Sequence, residues 1–178
     1  NSHYCDFCGK EVSEGKYRTL DDGREQCKHC EKTAIETVKE FRKLFRVVKK
    51  QFERVYRVKL NETIHIYLTT AEEIAAELGS TFTPTPGFDA RAVGFARRQT
   101  VDGKLEHSIY IEKSSPLEAA MATIAHELTH IWQYGHWDLD AMNELGAFEK
   151  QERMEGMATW SEIQFMYSTG HYKYTTHL

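Results

Sequence analysis

Residues 115–136 read SPLEAAMATIAHELTHIWQYGH, and this stretch decides how the rest of the chain is interpreted. Its first residues are a helix start signal, with Ser115 as the cap, Pro116 at the first helical position and Glu118 three residues after the cap. Apolar residues then recur at helical spacing, at Leu117, Met121, Ile124, Leu128 and Ile131. We therefore expect an amphipathic helix that ends at Gly135.

This helix carries an H-E-x-x-H motif formed by His126, Glu127 and His130. The two histidines are one helical turn apart and lie off the apolar stripe, so both imidazoles can reach one metal ion. A catalytic zinc typically keeps three protein ligands and one water. Glu127 is placed to take a proton from that water. The motif therefore predicts zinc-dependent peptide-bond hydrolysis with Glu127 as the general base.

Two residues compete as the third zinc ligand. His136 stands where the metzincin pattern H-E-x-x-H-x-x-G-x-x-H has its third histidine, but that pattern needs a glycine where this chain has Gln133. If a second helix begins near Phe148 and runs antiparallel to the first, Glu155 lies about 10 Å along its axis, level with the two histidines. We expect Glu155 to be the ligand. Its neighbour Gly156 is expected to let the helices approach closely, and two residues of the same face are expected to hydrogen-bond the imidazoles, Thr159 and Glu162.

All four cysteines lie near the start of the chain, as two C-x2-C pairs separated by eighteen residues: Cys5, Cys8, Cys27 and Cys30. Two such pairs can deliver four thiolates to one tetrahedral ion. Two disulfides or four free thiols are the alternatives, and His3 and His29 are nearby substitute ligands. No secretion signal is visible, which disfavours disulfides. We predict that residues 1–30 form a small module with a structural zinc.

A helical pattern follows the cysteines, from about Glu31 to Arg57. Its polar face is basic: between Lys39 and Lys59 there are nine Lys or Arg against two acids, Glu40 and Glu53. This face is either a docking surface for an acidic partner or a solvated helix face. The net charge of −4 disfavours a dedicated nucleic-acid binder.

The other elements indicate an α+β fold. A four-cysteine module of residues 1–30 precedes a domain of residues 31–178, whose first part, 31–58, is the long helix. The remaining predicted elements are a strand at 63–68, a helix from a Thr70 cap to Gly79, a loop at 80–90, a hairpin of strands 92–98 and 107–113 joined at Asp102-Gly103, and a last helix at 148–167. If the strand 107–113 is an edge strand, it can hold an extended substrate by strand addition.

Composition excludes other classes of protein. Hydrophobic residues make up 40% of the 178 residues and charged residues 28%, which argues against wholesale disorder. No apolar run approaches the ~18 residues of a membrane span. With no signal peptide visible either, a cytoplasmic location is expected.

The residues Ile109-Tyr110-Ile111, Pro116-Leu117, the run from Thr123 to Trp132 and Glu155-Gly156 together resemble a known family. The chain is similar to the peptidase domain of the plant organ-size regulators, which combine LIM-type zinc modules with a C-terminal gluzincin peptidase. The four-cysteine module looks like one half of a LIM domain. The resemblance implies a zinc metallopeptidase acting on proteins, with His126, His130 and Glu155 as zinc ligands, Glu127 as the base, and two Zn²⁺ in all. Gluzincins generally stabilise the oxyanion with a Tyr or His beyond the third ligand, and four candidates follow it: Tyr167, His171, Tyr172 and Tyr174.

The sequence is also compatible with two rival functions. One is a metalloprotease that acts on DNA-bound proteins, with the basic helix facing DNA; a DNA-stimulated activity with a steep salt dependence would favour it. The other is a LIM-like interaction module on a peptidase fold that binds partners without cutting them, against which the intact Glu127 argues. The expected partners are a protein or peptide substrate and a protein bound by the zinc module or by the basic helix at 39–59.

Overall fold

The computed structural model describes residues 3–77 and 94–172 of the chain. Gly79 and the loop predicted at 80–90 lie outside the described residues. The elements confirm a mixed α+β fold. In chain order they are β1 (His3–Tyr4), β2 (Glu11–Val12), β3 (Tyr17–Thr19), β4 (Glu25–Cys27), α1 (Lys28–Thr33), α2 (Val38–Tyr56), β5 (Thr63–Thr69), α3 (Ala71–Glu77), β6 (Gly94–Val101), β7 (Lys104–Glu112), α4 (Leu117–His136), α5 (Leu139–Glu144) and α6 (Ala147–Ser168).

The cysteine-bearing region is built from two small hairpins and one helix. Strand β1 pairs with β2, and β3 pairs with β4, both antiparallel. Gly9 follows Cys8 with a φ of 75°, and its N–H donates to the carbonyl of Cys5 at 2.8 Å. A positive φ is readily adopted by glycine, so the first C-x2-C pair can turn tightly here. Helix α1 then begins directly after Cys27 and contains Cys30.

The single long helix predicted for residues 31–57 is wrong, because the chain forms two helices with an extended stretch between them. Thr37 caps α2 through its hydroxyl, which accepts from the N–H of Glu40 at 3.1 Å. Ile35 in the extended stretch donates its N–H to the Ser115 carbonyl and accepts from the N–H of Ser114. These bonds to a distant segment replace the helical ones, which the local apolar pattern does not reveal.

The three-stranded sheet has the order β5-β7-β6. Strand β7 pairs in parallel with β5 and antiparallel with β6, so it is central. The expectation that residues 107–113 form an edge strand is therefore wrong. The predicted turn between β6 and β7 is confirmed, with positive φ at Asp102 (50°) and Gly103 (78°), as a two-residue type I′ hairpin requires.

Helix α4 lies at the centre of the core, and every residue of its predicted apolar stripe is buried or half-buried. It begins at Leu117, and Pro116 stands in the cap position. The Ser115 cap is wrong, because that hydroxyl donates to the Glu112 carbonyl at 2.6 Å. The helix also passes Gly135 and ends at His136. Its partners in the core come from α2, β7 and α6, and the largest are Phe41, Val48, Phe52, Ile109, Ile111, Phe165 and Met166.

The cysteine region is bonded to the connection between β7 and α4. The side-chain amide of Gln26, fully buried, donates to the Ser114 carbonyl at 2.8 Å. The Leu117 N–H, in the first turn of α4, donates to the hydroxyl of Thr33 at 3.3 Å. Arg24 forms a buried ion pair with Glu112. The start of α4 is therefore held by residues of the N-terminal region.

Within residues 3–77 and 94–172, no helix combines the length and the apolar character needed to span a membrane.

Candidate functional site

The four cysteines converge at one point. Their sulfurs lie within 4.8 Å of one another, and the Sγ atoms of Cys8 and Cys27 are 3.8 Å apart. All four are free of disulfides. Thiolates at about 2.3 Å from a tetrahedral zinc are ~3.8 Å apart, so the separation fits a shared ion.

Hydrogen bonds to the sulfurs stabilise one thiolate of the cluster, that of Cys5. The backbone N–H groups of Phe7 and Cys27 donate to Cys5 Sγ at 3.4 and 3.3 Å, and the N–H of Cys30 donates to Cys27 Sγ at 3.4 Å. Hydrogen bonds from the thiols of Cys30 and Cys8, together with these backbone bonds, hold the pKa of Cys5 far below its ordinary value. The contact with Cys30 lowers the pKa of Cys8, but the contact with Cys5 and burial outweigh it and raise that pKa to about 11, and the contacts with Cys5 and Cys8 hold the pKa of Cys30 far above its ordinary value. A metal must displace these protons, so it is the geometry of the four sulfurs that makes the cluster compatible with an ion.

A second cluster unites the two motif histidines with Glu155. His126 Nε2 is 3.0 Å from one Glu155 carboxylate oxygen, and His130 Nε2 is 2.8 Å from the other. The imidazole rings are 5.0 Å apart and nearly perpendicular, at 77°. Ligands of a tetrahedral zinc at 2.0–2.1 Å lie ~3.3 Å apart, so these donor atoms also fit one shared ion. The structure brings the three predicted ligands together, and their role as zinc ligands stays a prediction.

The cluster exists because α4 and α6 pack antiparallel. His126 near the middle of α4 contacts Glu162, whereas Gln133 near its end contacts Met154. Between these points the Thr129 hydroxyl donates to the Ser161 hydroxyl at 2.8 Å, and the Tyr56 hydroxyl of α2 donates to the carbonyl of Ser161 at 2.5 Å. The packing of α4 on α6 brings Glu155 level with the histidines.

The Nδ1 atom of each imidazole contacts the side chain of a further residue. Glu162 accepts from His126 Nδ1 at 3.0 Å, as expected from sequence. Gln133 Oε1 lies 2.8 Å from His130 Nδ1, and its amide donates to the Met154 carbonyl at 3.0 Å. Gln133 is fully buried, and the sequence pattern does not predict its contact with His130. Its position one turn after His130 was the available signal.

The carboxyl of Glu127 lies on the same turn of α4 and is only 9% exposed. Burial, with the nearby negative charges of Glu155 and Glu162, raises its pKa to about 7. Burial disfavours the charge of His126, but the carboxylates of Glu162, Glu127 and Glu155 prevail and raise the His126 pKa to about 9. A carboxyl group that titrates near neutrality is well matched to accepting and returning a proton.

The structure does not bring three of the predicted residues into these roles. His136 is exposed, stacks on Trp132 at 4.7 Å and donates from Nδ1 to the Trp132 carbonyl at 2.9 Å. It is not among the residues whose donor atoms converge with those of His126 and His130, so the geometry disfavours the metzincin alternative. Thr159 is exposed, and within the described residues it makes no hydrogen bond to either imidazole. A Cβ at Gly156 would meet nothing within 4 Å, so this glycine is not required for close approach of the helices.

None of the described oxyanion candidates is placed at the cluster. Tyr167 and Tyr172 are each 58% exposed and contact one another. His171 lies 3.7 Å from Glu118, which precedes His126 by about 12 Å along α4. Tyr174 lies outside the described residues.

The basic face of α2 and the segment after it is open to solvent. All nine basic residues from Lys39 to Lys59 are exposed except Lys49, which is half-buried and bonds to Glu53 at 3.2 Å. The packing of α2 uses its opposite side, through Phe41, Val48 and Phe52. The face is therefore free of contacts with the core.

No protein-family model, curated protein or solved structure matches this chain. The resemblance to the gluzincin peptidases therefore stays a prediction, and the two metal-compatible clusters in a mixed α+β fold are what the structure establishes.

Proposed function

We propose that this chain is a zinc-dependent endopeptidase of the gluzincin type that hydrolyses peptide bonds in protein substrates. One observation carries the proposal: the donor atoms of His126, His130 and Glu155 converge within 4.8 Å of one another, beside the buried carboxyl of Glu127. Two imidazoles and one carboxylate, with a further acid on the same turn, are the donor set and the base that zinc-dependent hydrolysis needs.

Zinc held by these three residues would lower the pKa of a water to about 7 and polarise the scissile carbonyl. In our proposal Glu127 accepts the proton of the attacking water and returns it to the amine that leaves. Glu162 and Gln133 orient the two imidazoles through their Nδ1 atoms, which directs each Nε2 towards Glu155.

One of the two edges of the sheet, that formed by β6, offers a place for the substrate. Strand β6 is paired on one side only within the described residues, and it lies at the edge next to α4. An extended peptide can add to such an edge through its backbone N–H and carbonyl groups. We therefore assign to β6 the substrate-holding role first expected of β7.

We assign a structural zinc to the four cysteines and regard their module as LIM-like. Three of the four cysteines are buried, and four thiolates complete a tetrahedral ion. The exposed basic face of α2 is the surface we propose for an acidic protein partner.

Replacement of Glu127 by Gln tests the proposal. The purified protein should hold two zinc ions and cleave an unfolded protein such as casein, and o-phenanthroline should abolish this cleavage. The Glu127→Gln variant should retain its zinc and its melting temperature but lose cleavage. The matched control is Glu144→Gln, an exposed acid of α5.

Near-normal cleavage by Glu127→Gln would contradict the proposed mechanism. A wild-type protein that holds two zinc ions and cleaves nothing would instead favour an interaction module on a peptidase fold.

A further inference from the structure

A cavity of about 270 Å³ opens beside the His/Glu cluster, between the edge strand β6 and helix α4. His130 forms part of its wall, and Tyr134, one turn further along α4, forms another part. Ala96 and Ile131 contribute apolar surface. One turn of helix is ~5.4 Å, so a group bound at Tyr134 lies close to any bond positioned at His130.

The guanidinium of Arg98 projects into this cavity and is held by stacking. Its central carbon lies 3.5 Å from the centre of the Tyr134 ring, a cation–π contact. The side chain is exposed, and among the described residues it forms no ion pair and no hydrogen bond. Stacking on the ring uses the flat face of a guanidinium and leaves its N–H donors available.

The neighbouring Arg97 provides the contrast. Arg97 also borders the cavity, but its guanidinium forms an ion pair with Glu77 and lies over Tyr110, on the other face of the sheet. Arg97 is thus paired with a carboxylate of the fold, whereas Arg98 forms no ion pair among the described residues.

Two further titratable groups lie near Arg98. His107 is its cross-strand partner and is only 3% exposed; burial, with the charge of Arg98, lowers the pKa of His107 against the opposing effect of Glu62. His107 therefore adds no positive charge at neutral pH. The carboxyl group of Glu62 also lies near His107, and it forms no ion pair with Arg98 in the described part of the chain.

We propose that Arg98 is a specificity residue that binds a carboxylate of the substrate next to the bond that is cleaved. A guanidinium offers two parallel N–H donors that match the two oxygens of a carboxylate. The carboxylate belongs either to an Asp or Glu side chain or to a free C-terminus, which offer the same chemistry. The inference rests on the proposed function, because it names the substrate class of the same site.

Matched fluorogenic peptides test the inference. In the first set, a single position next to the cleaved bond, on one side or the other, is Glu, Gln or Lys, and the rest of the peptide is constant. In the second set, the peptide ends either in a free carboxylate or in an amide. The zinc-loaded wild type should favour one carboxylate source by roughly 10–100-fold in kcat/KM, as expected for a charge-assisted hydrogen bond. The effect should lie mainly in KM, because Arg98 binds a group that does not react.

Three variants of Arg98 sharpen the test. Arg98→Leu should abolish the preference, Arg98→Lys should retain part of it, and Arg98→Glu should shift it towards the Lys peptide. The matched control is Arg54→Leu, which removes an exposed arginine of α2 and should leave the preference unchanged.

Binding to the Glu127→Gln variant gives a readout without cleavage. Fluorescence anisotropy should show tighter binding of the carboxylate peptide than of its amide. The double variant Glu127→Gln with Arg98→Leu should bind the two peptides equally. Cleavage by the wild type without any preference for a carboxylate would overturn the inference and leave the proposed function standing. Arg98-dependent binding without cleavage by the wild type would overturn the proposed function while keeping Arg98 as the residue that binds the carboxylate. A preference that survives Arg98→Leu would overturn the assignment to Arg98.

Discussion

The cysteine cluster and the His/Glu cluster bring metal-compatible side chains together in different ways. The cysteine cluster is made within one short segment, between Cys5 and Cys30, with backbone N–H groups bonded to the sulfurs and three of four cysteines buried. The His/Glu cluster joins two helices, and Glu155 is 48% exposed in its side chain whereas His126 and His130 are 18% and 14% exposed. A site enclosed by its own loop is suited to a structural ion, whereas a site open on one side leaves room for a reactant.

The largest effect is expected from Cys27→Ser. This change removes one sulfur and the hydrogen bond that Cys27 Sγ accepts from Cys30 N–H. Structural zinc supplies about 10–16 kcal/mol of apparent binding free energy in small zinc-dependent folds, so much of the stability of residues 3–36 should be lost. Metal analysis should show one zinc fewer per chain, and thermal unfolding should begin at lower temperature.

The second cluster should also weaken in Cys27→Ser, because Gln26 and Thr33 hold the start of α4. The replacement of Ser13, an exposed residue of the same region, by Ala is the control. Full retention of the metal at the His/Glu cluster would show that the two clusters are independent.

A smaller and more local effect is expected from Glu155→Gln. It removes a charge from the cluster while the core contacts of α6 remain. Removal of a residue that only contacts a metal ligand typically lowers metal affinity by roughly 10–100-fold, and zinc affinity at this cluster should fall by more than that. The melting temperature of the metal-free protein should be unchanged. Isothermal titration with zinc measures the change.

Two controls distinguish Glu155 from its neighbours. Glu152→Gln on the exposed side of α6 and His136→Ala should both leave zinc affinity unaltered. Loss of zinc in His136→Ala would instead restore the metzincin interpretation.

Changes at Gln133 should produce an intermediate loss of affinity and a measurable loss of stability. Gln133→Leu removes the contact with His130 Nδ1 and leaves the buried Met154 carbonyl without its side-chain donor. Zinc affinity should fall by roughly 10–100-fold, and the free energy of unfolding should drop by about 1–3 kcal/mol.

Gln133→Glu separates the two contributions, because a carboxylate accepts from His130 but cannot donate to Met154. It should recover most of the zinc affinity without recovering stability. The exposed Gln164 of α6 supplies the control, and equal effects of Gln164→Leu would remove Gln133 from the site.

The smallest effect is expected at the basic face, which touches neither cluster. Simultaneous replacement of the exposed residues Arg42, Arg46 and Lys50 by Glu should change the free energy of unfolding by less than about 1 kcal/mol, because exposed charges contribute little. Urea unfolding measures it, with zinc content as the second readout. Unfolding of the triple variant would contradict this prediction, because it would show that the basic face contributes to the stability of the fold.

Local sequence patterns were sufficient to predict α4 and most of α6, and the Asp102-Gly103 pair predicted the β6–β7 turn. It also predicted that Glu155 would lie level with His126 and His130, because two antiparallel helices of known rise leave little freedom in register. The break before Thr37 depends on bonds between Ile35 and residues 114–115, and no local pattern contains them. The central place of β7 depends in the same way on its parallel pairing with β5. The role of Gln133 required the position of the Met154 carbonyl, which belongs to another helix.

The bonds between the cysteine region and α4 have a consequence for the order of assembly during synthesis. Thr33 and Leu117 are 84 residues apart, and Gln26 and Ser114 are 88 apart. All four cysteines leave the ribosome long before the first turn of α4 exists, so the first ion can be bound while most of the chain is still untranslated. Glu155 emerges 29 residues after His126, so the second cluster is completed last. The nascent chain thus acquires a finished support for α4 before it acquires the side chains that we propose for cutting peptide bonds.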